Sequence, residues 1–438
     1  MLAYYLDLAL RSLRRNKVLS ALMVLAIGLG IGTTMTTFTV FHILSGDPLP
    51  DRSGRLFYVQ LEPRPLHHVD AADKDPAPQM TRRDAETLLA QARGDRQAMM
   101  SAGVVAIEPD AAALAPFTEE ARYTSTDFFP MFGVPLARGA AWSRQDDADR
   151  ARVAVIGREL AAKLFGDADP VGRSVPFNGT SFRIVGVLGD WDPNPRFYDL
   201  TTQRYGDAEQ VLVPFSTARG LHWGIQGTTE CWGDDAGGDS DGSYALDAHC
   251  AWIQYWVELD SPARAADYRR YLEAYSDQQR AAGRFELPNN VRLSDVMTWL
   301  DFNHVVPGDV RLQLWLALGF LLVCLLNTVG LLLAKFLRRG GEIGVRRALG
   351  ASRRDVFAQF LVEAGVVGLA GGVLGLALAW IGLWLVRQQP ADYAALARMD
   401  APMLGLTFVL ALLASLLAGL LPAWRAMQIA PAVQLKTQ

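Results

Sequence analysis

The sequence predicts an integral membrane α-helical protein with four transmembrane helices and a large α+β extracytoplasmic domain, which we expect to have two lobes. Four apolar stretches are each long enough to cross a bilayer, since a hydrocarbon core of roughly 30 Å needs about 20 helical residues. A long polar block separates the first stretch from the other three. Basic residues cluster beside particular stretches, which predicts a direction across the membrane.

Each apolar stretch is predicted to be a helix, because a bilayer offers no water to the backbone N–H and C=O groups of an open segment. The first stretch, residues 18–46, is longer than the apolar part of a cleaved signal peptide, which has about 7–15 residues. The predicted segments in chain order are an amphipathic cytoplasmic segment 1–17, span 18–46, an extracytoplasmic domain 47–310, span 312–334, a cytoplasmic loop 335–355, span 356–386, a short outer loop 387–400, span 401–424 and a cytoplasmic tail 425–438.

Charge predicts which side each segment faces. Residues 47–310 hold 26 Lys and Arg against 40 Asp and Glu, whereas the rest of the chain holds 16 against 6. The basic residues before the first span and between the second and third are Arg11, Arg14, Arg15, Lys17, Lys335, Arg338, Arg339, Arg346, Arg347, Arg353 and Arg354. The positive-inside rule places these segments and both termini in the cytoplasm, and the acidic block outside.

The N-terminal segment has an amphipathic pattern. One helical face carries the residues Leu2, Tyr5, Leu6, Ala9, Leu10 and Leu13. This pattern is typical of a helix that lies among lipid headgroups, although a basic flank that only sets orientation explains the charges equally well. In the following span, the small residues Gly28 and Gly32 favour close packing on another helix, within the subunit or across a dimer.

The extracytoplasmic block mixes strand and helix patterns, which predicts an α+β domain. Thr81 to Asp84 resembles a capping box that opens a helix through about Arg93. Asn178-Gly179 is a strong hairpin signal. Strands are predicted at 99–108, 117–124, 152–156, 173–177, 181–188 and 252–259, and helices at 158–165 and 262–282. Residues 224–251 are rich in Gly and Asp and are predicted to be a loop.

Three cysteines agree with this topology. Cys324 lies within a span, where it acts as a small apolar residue. Cys231 and Cys250 both lie in the external block, where an oxidising compartment favours a disulfide over two free thiols.

Several segments resemble a known family. Residues 123–139 (YTSTDFFPMFGVPLARG), 153–156 (VAVI), 164–173 (LFGDADPVGR) and 182–187 (FRIVGV) resemble the periplasmic core domain of MacB-type ABC transporter permeases. The membrane half resembles the FtsX-like permease domain of the same group in Asn327, 342–351 (EIGVRRALGA), the glycines of 368–375, 421–426 (LPAWRA) and Pro431-Ala432. The resemblance covers nearly the whole chain and implies a periplasmic location for the acidic block of a bacterial inner-membrane protein.

The resemblance implies that the loop between the second and third spans carries a coupling helix, which docks into an ATPase subunit. The residues of this motif are Glu342, Ile343, Gly344, Val345, Arg346, Arg347, Ala348, Leu349 and Gly350. Arg346 and Arg347 offer positive charge, and we expect an apolar face from Ile343, Val345 and Leu349. An amphipathic turn that only contacts anionic headgroups is the alternative.

The sequence also predicts how this helix begins and ends. Gly350 suits a C-terminal cap, and Ser352 to Asp355 resembles a capping box for the third span.

Asn327 in mid-span predicts a hydrogen bond across helices, for packing or dimerisation. An ionisable residue within a span is a functional hypothesis by default. Because Glu363 lies near the start of the third span, we favour the alternative of a cap or of a side chain that reaches the interface.

One feature departs from the family pattern. MacB-type permeases carry an ATPase on the same polypeptide, and its P-loop needs Gly before Lys. None of the lysines here follows a glycine, so we expect no enzyme activity in this chain, with ATP and Mg²⁺ bound by a partner subunit. His67-His68 lack partners at metal spacing, and Asp234, Asp235, Asp239 and Asp241 do not match a calcium loop, so no metal, cofactor or catalytic residue is predicted.

The expected function is that of a MacB-type permease subunit, which pairs with a second copy or a relative and passes ATP-driven motion of a separate ATPase to its periplasmic domain. Cargo would leave through a periplasmic adaptor and an outer-membrane duct. Two alternatives use similar motion: a permease that releases lipoproteins, and an FtsX-like regulator of a periplasmic hydrolase. Membrane lipid is an expected partner and nucleic acid is not.

Overall fold

The computed structural model describes residues 2–69, 74–109, 114–233, 242–390, 393–399 and 401–428. The chain forms two compact units. We call residues 2–45 and 306–428 the membrane unit, and residues 46–305 the head unit. The predicted fold class is confirmed in its four long apolar helices and in its mixed α and β domain. The two lobes of that domain stay a prediction.

The helices in chain order are α1 (Leu2–Arg15), α2 (Lys17–Ser45), α3 (Arg82–Gln91), α4 (Phe128–Phe132), α5 (Arg144–Ala148), α6 (Arg158–Phe165), α7 (Phe215–Gly220), α8 (Pro262–Ala281), α9 (Val296–Phe302), α10 (Gly308–Leu337), α11 (Gly340–Ala348), α12 (Arg353–Val386) and α13 (Ala401–Met427). Helices α2, α10, α12 and α13 are long and apolar enough to cross a bilayer.

The strands are β1 (Leu56–Gln60), β2 (Met80–Thr81), β3 (Arg96–Ile107), β4 (Phe117–Thr124), β5 (Leu136–Gly139), β6 (Val153–Ile156), β7 (Ser174–Phe177), β8 (Thr180–Leu188), β9 (Val211–Pro214), β10 (Glu230–Cys231), β11 (Cys250–Glu258) and β12 (Arg292–Asp295). The main path of the sheet is β12-β1-β11-β3-β4-β9-β6-β8-β5. Most pairs are antiparallel, and β4–β9 and β6–β8 are parallel. The core on this sheet includes Tyr123, Phe177, Trp252 and Tyr255, all fully buried.

Glycines bring α2 and α12 close together in the membrane unit. Gly28 lies against Leu374, and Gly32 lies against Leu378. An ideal Cβ at Gly32 would lie 2.7 Å from the Cβ of Leu378, so a side chain there would separate the helices. Small residues permit this approach, and dispersion between packed helices stabilises it. The structure therefore places Gly28 and Gly32 in a contact within the subunit.

Local signals account for several boundaries in the head unit. Asn178 and Gly179 have φ of +48° and +72°, and they form the predicted turn between β7 and β8. The Thr81 side chain accepts a hydrogen bond from the Asp84 backbone N–H at the start of α3, as predicted. Helix α3 ends at Gln91, two residues earlier than predicted, because Ala92 adopts the left-handed conformation with φ of +47°.

Strands β10 and β12 were not predicted from the sequence, because only their pairing with distant strands defines them. Strand β12 has the polar sequence Arg-Leu-Ser-Asp and pairs at the end of the sheet with β1, more than 200 residues earlier in the chain. In the predicted loop 224–251, β10 pairs with β11 and places Cys231 directly opposite Cys250. The two cysteines form a disulfide. The four aspartates weighed as calcium ligands lie in 234–241, outside the described residues.

Candidate functional site

Helix α11 lies between two spanning helices, and its C-terminal end has a defined cap. Gly350, with φ of +103°, donates its N–H to the carbonyl of Arg347 and ends the helix. Ser352 then begins α12, and its hydroxyl and the Asp355 carboxylate form the predicted capping box. The short turn between these two caps joins α11 to α12.

The two faces of α11 differ. Ile343 and Gly344 are buried, and Ile343 belongs to the core cluster that includes Val356 and Phe360 of α12. Val345 is 53% exposed and Leu349 is 83% exposed. The predicted apolar face of three residues is therefore corrected. Residues two apart lie about 200° apart around a helix, so Ile343 and Val345 cannot share a face.

The charged residues of α11 also tie it to α12. The Arg346 guanidinium donates to Gln359 of α12 at 2.9 Å and to Glu342 at 3.0 Å. Arg346 and Arg347 are half-buried, whereas Glu342, Ala348, Leu349 and Gly350 are exposed. One of the two predicted docking arginines, Arg346, thus also has an internal role. The exposed surface of α11 centres on Val345 and Leu349, which share a face at spacing i, i+4.

A buried ion cluster lies beside the start of α11. The Glu363 carboxylate is 1% exposed and accepts from Lys335 Nζ at 2.7 Å and from Arg339 Nη1 at 3.2 Å. Ser12 of α1 donates to the same carboxylate. The interpretation of Glu363 as a cap or interfacial side chain is therefore wrong. The missed signal was the i, i+4 spacing of Lys335 and Arg339, which places both cations on one face of α10 and its extension.

Asn327 occupies a different place from the glycines predicted to share its role. It lies on an exposed face of α10, with exposed Leu322, Val323 and Leu326 around it. Gly28 and Gly32 pack against α12. The structure therefore separates the three residues. A mid-span amide on an exposed apolar face suits a contact with another transmembrane helix.

The head unit contains a second buried ion cluster. Arg122 contacts Asp199 at 2.7 Å and also contacts Glu209, which in turn contacts Arg196. The Tyr198 hydroxyl donates to Glu209 at 2.9 Å. All these side chains are essentially buried, so the cluster is part of the core of the head unit and is not open to a substrate. Sequence patterns did not reveal it, because its members come from β4 and from the irregular segment before β9.

The head unit also has an open cavity of about 660 Å³, lined by charged residues of α3, β3 and α5. Arg144 pairs with Asp127 there, and Arg96 pairs with Glu258. Burial raises the pKa of Asp147 in its wall. Among the described residues, no group of three or more His, Cys, Asp or Glu side chains is arranged to hold a metal.

Comparison with protein families gives two matches. The family model for a MacB-like periplasmic core domain matches residues 20–275. The model for an FtsX-like permease C-terminal region matches residues 315–431. The first match alone covers more than half of the chain, and the second contains α11 and the cations at the end of α10.

Curated relatives are longer than this chain. Pyoverdine export ATP-binding/permease protein PvdT of Pseudomonas aeruginosa is 27% identical over 324 residues, which cover 72% of this chain and 42% of that protein. Macrolide export ATP-binding/permease protein MacB of Bdellovibrio bacteriovorus is 25% identical over 324 residues, which cover 73% of this chain and 42% of that protein. The chain therefore matches less than half the length of these relatives.

Solved structures include the periplasmic region of MacB from Actinobacillus actinomycetemcomitans. It is 15% identical, with a TM-score of 0.37, and the match covers 61% of this chain and 99% of that one. The family assignment rests on the two family models, which together cover most of the head unit and most of the spanning helices. The chain belongs to the MacB-like family of ABC transporter permeases, membrane proteins that combine a MacB-like periplasmic core domain with an FtsX-like permease region.

Proposed function

We propose that this chain is the permease subunit of a bacterial transporter of the MacB type, and that it transmits motion from a separate ATPase subunit to its periplasmic domain. The observation that carries the proposal is the exposed apolar pair Val345 and Leu349, held on a short helix between two spanning helices. In water, an exposed apolar patch on a fixed helix favours a protein partner.

The proposed transmission follows from how α11 is fixed. Ile343 on the inner face of α11 packs against α12, Arg346 donates to Gln359 of α12, and Ser352 caps the start of α12. A displacement of α11 would therefore be passed to α12. Helix α10 has 30 residues, about 45 Å at 1.5 Å per residue, and joins α11 directly to the C-terminal end of the head unit in the chain. Two continuous helices would thus carry displacement across the bilayer.

The remaining parts of the proposal concern orientation and partners. Both termini and α11 would be cytoplasmic and the head unit periplasmic, as the charge distribution predicts. A second copy or a relative would contact Asn327 on the exposed face of α10. The names of PvdT and MacB describe export, and this supports export as the function of this chain. We further propose that periplasmic cargo leaves through an adaptor and an outer-membrane duct.

The experiment is site-specific photo-cross-linking in intact cells. A benzophenone side chain replaces Leu349, and a matched control places it at Val104, which is 41% exposed in the head unit. We expect mass spectrometry to identify a P-loop ATPase joined to Leu349 and absent from Val104. Capture of lipid alone at Leu349, or of the same ATPase at both positions, would overturn the proposal.

The proteins captured at head positions separate export from its alternatives. An adaptor and an outer-membrane duct support export. A lipoprotein carrier would indicate lipoprotein release, and a cell-wall hydrolase would indicate regulation.

A further inference from the structure

We propose that helix α1 is a working part of the coupling site: through Ser12 it holds the corner between α10 and α11, so that α1, α10, α11 and α12 move as one body. The geometric part of this inference stands alone, and its consequence for coupling rests on the proposed function. The residues that carry it are Ser12, Lys335, Arg339 and Glu363, which we call the corner cluster.

The corner cluster joins three helices and the start of a fourth. Glu363 of α12 accepts from Lys335 of α10 and from Arg339. The Ser12 hydroxyl donates to Glu363 and accepts from Arg339 Nη2 at 2.6 Å. A single hydroxyl can do both, because it has one proton to donate and lone pairs to accept. Ser12 is therefore a bridge between the carboxylate and the guanidinium.

Burial makes this bridge important. Ser12 is 5% exposed, Lys335 and Glu363 are each 1% exposed, and the Arg339 side chain is 10% exposed. Lys335 and Arg339 share the single Glu363 carboxylate, so a neutral acceptor such as the Ser12 hydroxyl helps to replace the water that these cations lose on burial. Among the described residues, Arg339 Nε has no hydrogen-bond partner. Removal of the Ser12 oxygen would leave a further guanidinium donor unsatisfied, which is costly for a buried charged group.

The position of Arg339 links the cluster to coupling. Arg339 is the residue immediately before α11, so its side chain anchors the hinge between α10 and α11. Helix α1 makes two longer contacts, one on each side of the corner cluster. The Tyr5 hydroxyl donates to Asp355 at 3.4 Å, and Arg15 pairs with Glu342 at 3.4 Å. Helix α1 thus runs from the cap of α12 to the first turn of α11.

The other faces of α1 show why it can serve as a fixed support. Leu6 and Leu10 are exposed and apolar, whereas Asp7 and Arg11 form an exposed ion pair on a polar face. A helix with one apolar and one charged outer face lies in the headgroup region of a membrane. The predicted apolar face is corrected here, because Tyr5, Ala9 and Ser12 face the bundle while Leu6 and Leu10 face outward.

The test uses the full chain, purified in lipid nanodiscs, and hydrogen–deuterium exchange of the amides of residues 340–350. Ser12→Ala removes the bridge and keeps a good helix former, so folding is retained. We expect exchange of this segment to rise about tenfold, as for a lost buried hydrogen bond to a charged group. The matched control is Arg11→Gln, on the exposed face of the same helix, which should leave exchange within twofold of wild type.

A double-variant comparison separates a direct bridge from general loosening. Arg339→Gln alone should also raise the exchange of residues 340–350. If Ser12 acts through Arg339 and Glu363, then Ser12→Ala combined with Arg339→Gln should exchange more slowly than the product of the two single effects. Fully multiplicative effects, or an unchanged rate in Ser12→Ala, would overturn the inference.

The result is independent of the ATPase. Exchange is measured on the chain alone, whereas the proposed function is tested by cross-linking at Leu349. Failure of the cross-link with a positive exchange result would refute the function and leave only the geometric part of the inference, in which Ser12 of α1 holds the start of α11. Normal cross-linking with no exchange response to Ser12→Ala would refute the role of α1 and leave the function intact.

Discussion

At the scale of single residues, buried charges are the features that matter most in both units. In the head unit, Arg122 and Arg196 surround the Glu209 carboxylate, and Asp199 accepts from Arg122 and from Thr201 and Thr202. Each charge has partners that replace water. Such a cluster adds little net stability over an apolar core, but loss of one member is costly because the others stay buried.

Arg122→Met tests this view. Among the described residues, the change leaves Asp199 with no cationic partner and Glu209 with one. We expect the free energy of unfolding of the head unit to fall by about 3–5 kcal/mol. Tryptophan fluorescence during urea titration of the purified chain measures it. Arg264→Met is the matched control, because Arg264 pairs with Asp95 at an exposed site and should cost less than about 1 kcal/mol. Equal losses in both variants would contradict the assignment.

The same cluster predicts how stability depends on pH. Burial alone would raise the pKa of Glu209, but the adjacent Arg122 and Arg196 outweigh it and lower the pKa; Arg122 does the same for Asp199. A lowered pKa in the folded state contributes stability that is complete above the ordinary carboxyl range. That stability is lost as pH falls below about 4. We expect the urea concentration at the midpoint of unfolding to fall as the pH is lowered from 5 toward the lowered pKa values of these carboxyls.

Arg122→Met supplies the control for this pH dependence. In this variant Asp199 lacks the Arg122 guanidinium, so burial dominates and raises the pKa of the Asp199 carboxyl. Protonation of Asp199 then favours the folded state of the variant. The wild-type minus variant difference in unfolding free energy should therefore shrink as pH falls from 6 to 4. A difference that stays constant over this range would show that these carboxylates do not titrate with folding.

At the scale of elements, α11 shows how one short helix can serve two surfaces. Its inward side belongs to the core of the membrane unit, and its outward side holds Val345 and Leu349. The glycine contacts between α2 and α12 then keep the supporting bundle tight. Because the two faces are separate, we expect that substitutions can change stability and the proposed partner binding independently.

Paired substitutions test that separation. Ile343→Ala removes a 4% exposed side chain and should lower the stability of the membrane unit by about 2–4 kcal/mol. Val345→Ala, at a 53% exposed site, should change stability by less than about 0.5 kcal/mol. Thermal unfolding in detergent, followed by circular dichroism, measures both. In the cross-linking assay from Leu349, Val345→Ala should instead reduce ATPase capture several-fold. Equal stability losses would show that both residues are buried.

At the scale of the whole molecule, charge and covalent chemistry divide the chain in the same way. The acidic head unit contains Cys231 and Cys250 in a disulfide, whereas Cys324 lies free and buried in α10. Disulfides persist in oxidising compartments. The basic segments lie in the membrane unit, next to α2, α11 and α12. A periplasmic head unit is consistent with both observations.

Thiol labelling of intact cells tests the orientation. An impermeant maleimide should label Cys231, which is half-buried, only after reduction of its disulfide with the fully buried Cys250. It should label a Cys introduced at Arg353 only after the membrane is opened. Cys231→Ser together with Cys250→Ser removes the first signal and serves as its control. Labelling of the Arg353→Cys variant in unopened cells would contradict the proposed orientation.

Much of this architecture could be predicted without coordinates, because it depends on local or one-dimensional physics. Span length follows from bilayer thickness, and the hairpin at Asn178-Gly179 follows from backbone preference. The orientation derived from the distribution of Lys and Arg stays a prediction. The caps at Thr81 and Ser352 follow from side chains that satisfy free N–H groups at helix starts. All of these signals lie within a few residues of their effects or in composition alone.

Only the tertiary structure decided which distant groups meet. It paired β12 with β1, placed Gly28 and Gly32 against α12, and turned Ile343 inward. It also brought Ser12 and Glu363 together across 351 positions of sequence. Such contacts depend on how helices and strands pack. In the corner cluster, the low dielectric of the interior makes an unpaired charge costly, and Ser12 of α1 supplies an acceptor to Arg339.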